Sequence, residues 1–154
     1  IFMSTPTSIT DHTIENYCAI RDDILSTINY CTTTAIQGPD GKSLGNINMG
    51  GSPDNPIMAI AVIDSSPFLD TKSSEIEIVF ETMIETLVCD CWNEKQPGNF
   101  ESVTDWLNAA KSKYSESSQT MPLKSTITGL DDETLILEIT TKNDSYLWTL
   151  IVLK

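Results

Sequence analysis

Hydrophobic and polar residues change period several times along this chain, and each change marks the edge of an element. From Asp11 onward, Ile14, Tyr17, Cys18, Arg21, Ile24, Leu25 and Ile28 fall at helical spacing. That spacing gathers them into one stripe facing the core, and Asp11 is placed to cap the helix start. Tyr30–Gln37 is Thr-rich and β-like. Gly38-Pro39-Asp40-Gly41 follows as a turn, with Pro setting φ and Gly allowing φ above zero. Ser43–Met49 then reads as the returning strand of a hairpin. Gly50–Pro56 carries two Gly and two Pro and breaks the pattern. Ile57–Ile63 is a continuous apolar run, which fits a strand buried on both faces or a segment packed under a loop.

After a break at Asp64–Pro67 comes the longest helical pattern, from Ser74 to about Trp92. Ile76, Val79, Phe80, Met83, Leu87, Val88 and Cys91 form its apolar stripe, and no basic residue lies between Glu75 and Glu94. Pro97-Gly98 ends it within Asn93–Asn99. A second helix is expected over Ser102–Tyr114, where Ser102 and Asp105 resemble a capping box and Val103, Trp106, Leu107, Ala110 and Tyr114 face inward. Ser115–Thr120 is a polar linker. Three short apolar runs close the sequence: Leu123–Thr128, Thr134–Thr141 and Tyr146–Leu153. Their tight polar breaks, Gly129–Glu133 and Lys142–Ser145, predict an antiparallel meander.

The totals narrow the function classes. The 154 residues and 40% apolar content fit one domain with a core. Residues 1–10 read as a disordered leader, with Met3 as the natural start, and 11–154 as a single domain. Ser4 would then stand where N-myristoylation needs Gly. No signal peptide is visible, and no apolar run approaches the roughly 20 residues that span a bilayer. The formal charge is −13, from 22 acidic and 9 basic residues, which disfavours nucleic acid and anionic lipid as partners. It fits a basic protein partner or plain solubility. Four cysteines in a chain this long do not make a secreted disulfide framework, so a reducing, cytosolic setting is expected.

Candidate chemistry is sparse. His12, the only histidine, lies beside the leader, where a catalytic pair would be poorly positioned. Cys89-Asp90-Cys91 has one intervening residue, not the two of a zinc knuckle or thioredoxin-like pair. On a continuous helix these thiols would point roughly 200° apart, so they read as structural cysteines. Glu77, Glu81 and Glu85 form an i, i+4, i+8 row that reads as a solvated face or, if functional, a binding surface. Asp40-Gly41-Lys42 is no phosphate loop, and Asp131-Asp132-Glu133 lacks calcium-loop spacing. No metal or cofactor site is expected, and no enzyme.

Two stretches carry a resemblance to a known family. In Ile14–Met49 a helix leads into Thr32–Asn46, which is similar to the first hairpin of the roadblock (dynein light chain type) fold. In Met121–Leu153 the Met121-Pro122-Leu123-Lys124 entry, the Glu133–Glu138 strand and the Asn143-Asp144 turn resemble small roadblock subunits of the Ragulator/EGO scaffold. Residues 50–120 depart from the family's short link and read as a divergent inserted segment. The resemblance implies an α/β (α+β) fold: a five-stranded antiparallel sheet of order 2-1-5-4-3. The Ser74–Trp92 helix would lie on one face and the Thr13–Ile28 helix on the other.

What the resemblance implies for function is a non-enzymatic scaffold that pairs with another roadblock-fold subunit through its third strand and central helix. The residues named for that interface are Leu123, Lys124, Thr126, Ile127 and Thr128, with Glu77, Glu81 and Glu85. Rag-type small GTPases and a lipid-anchored scaffold subunit would be the further partners. The setting would be nutrient signalling to the TOR kinase on the cytosolic face of the vacuole or lysosome, without direct membrane insertion. The alternatives are a roadblock or longin-like adaptor for dynein or vesicle traffic, an acidic inhibitor that mimics DNA, and an enzyme using Cys89 or Cys91.

Overall fold

A computed structural model describes residues 2–3, 7–8, 30–37, 41–52, 55–65, 73–143 and 145–154. The helix expected over Ile14–Ile28, His12 and the Gly38–Asp40 part of the first turn lie outside these residues.

The β-rich pattern resolves into one antiparallel sheet. Its long strands are β3 (Tyr30–Gln37), β4 (Ser43–Ser52), β5 (Asn55–Asp64), β6 (Leu123–Leu130), β7 (Glu133–Lys142) and β8 (Ser145–Leu153). Two short strands, β1 (Phe2–Met3) and β2 (Thr7–Ser8), both pair with β3. The long strands run in the order β3-β4-β5-β8-β7-β6. Two meanders are thus joined along β5 and β8, with Met58 opposite Leu153, Ala61 opposite Leu150 and Asp64 opposite Leu147.

The α+β class agrees with the sequence, but the five strands and the 2-1-5-4-3 order do not. The Ile57–Ile63 run is a sixth long strand, and the final strand pairs with it rather than with the first. The cause is burial on both sides. Ala59, Ala61 and Ile63 enter one apolar cluster, and Met58 and Ile60 enter another. Only a central strand lets a continuous apolar run bury alternate side chains in opposite directions. The register of β4 against β5 also needs Gly45. A Cβ there would collide with the backbone carbonyl of Val62.

The helices are α1 (Ser73–Leu87), the one-turn α2 (Trp92–Lys95) and α3 (Val103–Glu116), with a 3₁₀ turn at Pro97–Asn99. The Ser102 hydroxyl accepts a hydrogen bond from the Asp105 amide at 3.1 Å, which caps α3 as its sequence predicts. The buried residues of all three helices belong to the cluster formed with Leu135, Leu137, Ile139, Leu150 and Val152. The described helices therefore share one face of the sheet. The helix over Thr13–Ile28 assigned to the other face lies outside the described residues. α1 packs over β8, whereas α3 packs over β6 and β7.

One boundary differs in a way that matters. The helical pattern runs on toward Trp92, yet α1 stops at Leu87. The amides of Val88 and Cys89 both donate to the Ile84 carbonyl, at 2.9 and 3.1 Å, and the second, a 6→1 bond, closes the helix end.

Candidate partner interface

The interface residues named from the sequence fall on two separate surfaces. Leu123, Lys124, Thr126, Ile127 and Thr128 lie on β6, at one border of the sheet. Lys124, Thr126 and Thr128 are exposed, Leu123 is half-buried and Ile127 is buried. The alternation follows from a strand with one face on the core. Among the described residues no strand lies along the outer side of β6, while β3 at the opposite border carries β1 and β2. An edge strand presents backbone N–H and C=O groups to any chain that can align with them. Met121, just ahead of β6, is 73% exposed and adds an apolar contact point there.

Two contacts hold this edge in place, one from the helix layer and one from the neighbouring strand. Trp106 on α3 donates its indole N–H to the Ser125 hydroxyl at 2.8 Å. Lys124 sits 3.8 Å from Glu138 on β7, an exposed pair of small energetic weight.

Glu77, Glu81 and Glu85 share one side of α1, as their spacing requires. Glu81 and Glu85 are exposed, and Glu77 is half-buried. The row borders the seam between α1 and α3. Glu77 lines a cleft with Leu107 and Lys111 of α3, and Glu81 and Glu85 line a second with Ser102 and Val103. Because α3 covers β6 and β7, it stands between the acidic row and the β6 edge. The two sets of residues do not form one continuous patch.

Three features were not foreseen from the sequence. The first corrects the reading of Cys89 and Cys91: they are joined by a disulfide, with Cα atoms 5.2 Å apart. Diverging directions hold only on a continuous helix, and α1 has already ended. Both cysteines are half-buried, and Cys89 lines the cleft with Glu81, Glu85 and Asp90. The length of α1 is the only signal that could have revealed the bond.

The second is Glu133, at the start of β7 and only 7% exposed. Asp131 and Asp132 form the preceding turn with φ of 53° and 64°, the positive values that a two-residue hairpin loop demands. This turn directs Glu133 toward a small cleft shared with Ile57, Leu87 and Lys154. Its Oε2 has no hydrogen-bond partner. Burial raises its pKa above the ordinary carboxylate value. The Lys154 charge opposes that shift, and the Asp131 charge adds to it. The third is Trp148, buried with its indole N–H unpartnered.

Among the described residues, no group of three or more His, Cys, Asp or Glu side chains is arranged to hold a metal ion. No described helix is long and apolar enough to cross a membrane. Comparison with family models, curated proteins and solved structures finds no match to the chain. No residue role is therefore carried over from a relative.

Proposed function

We propose that this protein is a non-enzymatic interaction subunit that receives a partner strand along β6. The observation that carries the reading is the asymmetry of the sheet. One border is lined by β1 and β2, while β6 has no described strand on its outer side and has exposed Met121 at its head. Strand addition supplies affinity through main-chain hydrogen bonds and specificity through alternate side chains. Here those are Lys124, Thr126 and Thr128. The acidic α1–α3 seam is a second surface, suited by its charge to a basic segment of the same or another partner.

With the roadblock resemblance, the specific form of this proposal is a Ragulator/EGO-like scaffold subunit. It would pair with another roadblock-fold protein and support Rag-type GTPases upstream of the TOR kinase. A lipid-anchored subunit would hold it at the cytosolic face of the vacuole or lysosome. Affinity purification of the intact chain from its native cell tests this form. Rag GTPases and an anchored subunit among the bound chains support it, whereas motor or tether subunits point to the traffic adaptor.

Edge variants test the docking surface itself. Neighbouring residues of an edge strand send their N–H groups in opposite directions. Of Thr126→Pro and Ile127→Pro, one removes a donor to β7 and the other removes an outward donor. A variant that keeps the parent fold by circular dichroism but loses the partner on gel filtration supports β6 docking. If both Pro variants and Met121→Asp retain the partner, the surface is misassigned.

A further inference from the structure

We propose that the Cys89–Cys91 bond is a thiol–disulfide exchange site rather than a cross-link that holds the fold, and that it takes electrons from a thiol carried on a neutral or cationic molecule. The observations that support this do not depend on strand docking along β6, although the cleft beside the bond is part of the acidic α1–α3 seam.

The bond closes a loop of three residues, Cys89, Asp90 and Cys91. The restriction a disulfide places on the unfolded chain grows with loop length, so this one constrains the chain very little. It also ties together no distant elements, because both cysteines belong to the turn between α1 and α2. The core beneath is held independently. Trp92 is buried with its ring centroid 5.8 Å from that of Trp106, and its indole N–H donates to the Phe100 carbonyl at 3.0 Å.

The bond is also reachable. Both cysteines are half-buried rather than fully enclosed, and Cys89 lines a surface cleft. Exposed disulfides are the ones that exchange, since an attacking thiolate must approach one sulfur directly. The cleft selects its reagent by charge. Glu81, Glu85 and Asp90 line it with Cys89, and no basic residue does among the described residues. Lys95, on the neighbouring α2, lies 3.9 Å from Asp131 instead. An anionic thiol would have to approach against three carboxylates on a chain of net charge −13.

The chemistry balances as two successive exchanges. A thiolate RS⁻ attacks Cys89 Sγ, and the Cys89–Cys91 bond breaks. The electron pair leaves on Cys91 Sγ, which takes a proton from solvent. A second thiolate then attacks the outer sulfur of the mixed disulfide and releases Cys89 as a thiolate, which is protonated in turn. Two RSH are oxidised to RSSR, and one cystine is reduced to two cysteines, with two electrons transferred. In the reducing compartment expected for the chain, such a bond would be converted to the dithiol rather than stay permanently closed.

The test uses the full chain and two small thiols, cysteamine as the cation and mercaptoacetate as the anion, at matched thiolate concentrations. Reaction is quenched by alkylation and read by mass on the tryptic peptide Ser73–Lys95. At low salt cysteamine should reduce the pair about tenfold faster or more, within the range of electrostatic steering. The ratio should shrink toward one at about 1 M salt, where charges beyond roughly 3 Å are screened. It should also fall in the Glu81→Gln, Glu85→Gln double variant, which changes exposed side chains only. Circular dichroism of the fully reduced chain should match that of the oxidised one. A bond that yields only when denaturant melts the fold, or equal or reversed rates at low salt, overturns the proposal.

Discussion

Trp106 and Ser125 join the helix layer to the sheet edge: the indole N–H of one meets the hydroxyl of the other at 2.8 Å. Trp106 is 1% exposed, so no water is at hand to replace the acceptor. Ser125→Ala should therefore cost about 1–3 kcal/mol, the penalty of a buried donor left unmade. The midpoint of a urea titration measures it. A Ser125→Thr variant that restores the bond should recover part of the loss.

Phe80 is fully buried in the middle of α1, between the helix and the sheet. Phe80→Ala should cost about 3–5 kcal/mol through lost burial and the cavity it leaves. Glu81→Gln, one residue on but exposed, should change stability by no more than about 0.5 kcal/mol. Equal denaturation midpoints for Phe80→Ala and the parent would show that α1 presents a different face.

Glu133 makes stability depend on pH with a definite sign. Burial raises its pKa in the folded state above that of the unfolded chain, so the folded state holds the proton more tightly. The stability this contributes is complete below the unfolded pKa and is lost as pH rises through the folded value. Glu133→Gln removes the ionisation. Its melting temperature relative to the parent should therefore rise as pH increases from below the ordinary carboxylate value through the raised one. A constant difference across that window would show that the carboxyl does not sense its burial.

Gly45 and Gly41 separate two reasons for glycine. At Gly41 φ is +77° with open space around a notional Cβ, whereas at Gly45 a Cβ would collide with the Val62 carbonyl. Gly41→Ala should cost about 1 kcal/mol from backbone strain alone. Gly45→Ala should cost several times as much, because β4 must move away from β5. Soluble yield and thermal melting of the two variants make the comparison. Similar losses would mean that β4 and β5 do not approach so closely.

Local elements were readable wherever the pattern of one segment suffices. Thr134–Thr141 alternates, and within it β7 buries Leu135, Leu137 and Ile139 while the side chains between them stay partly exposed. The α3 stripe buries the five residues its spacing names, and Ser102 caps it. The acidic row on α1 and the outward Lys124, Thr126 and Thr128 of β6 are likewise consequences of helix and strand periods.

Pairing is a different matter, because the hydrophobic effect has no direction. The Ile57–Ile63 run announced burial but not its neighbours. Only the assembled sheet sets Met58 against Leu153 and so places the closing strand beside β5. The Cys89–Cys91 bond turned on where α1 stops, a matter settled by two backbone hydrogen bonds to Ile84 rather than by side-chain type. Glu133 looked like a turn residue by sequence and is buried because β5 and β8 bring Ile57 and Lys154 to the end of its strand. Periodicity, capping and charge are local properties, so the sequence alone determined them. Strand order, the disulfide and the buried carboxyl depend on which distant segments meet, and only the tertiary structure decided that.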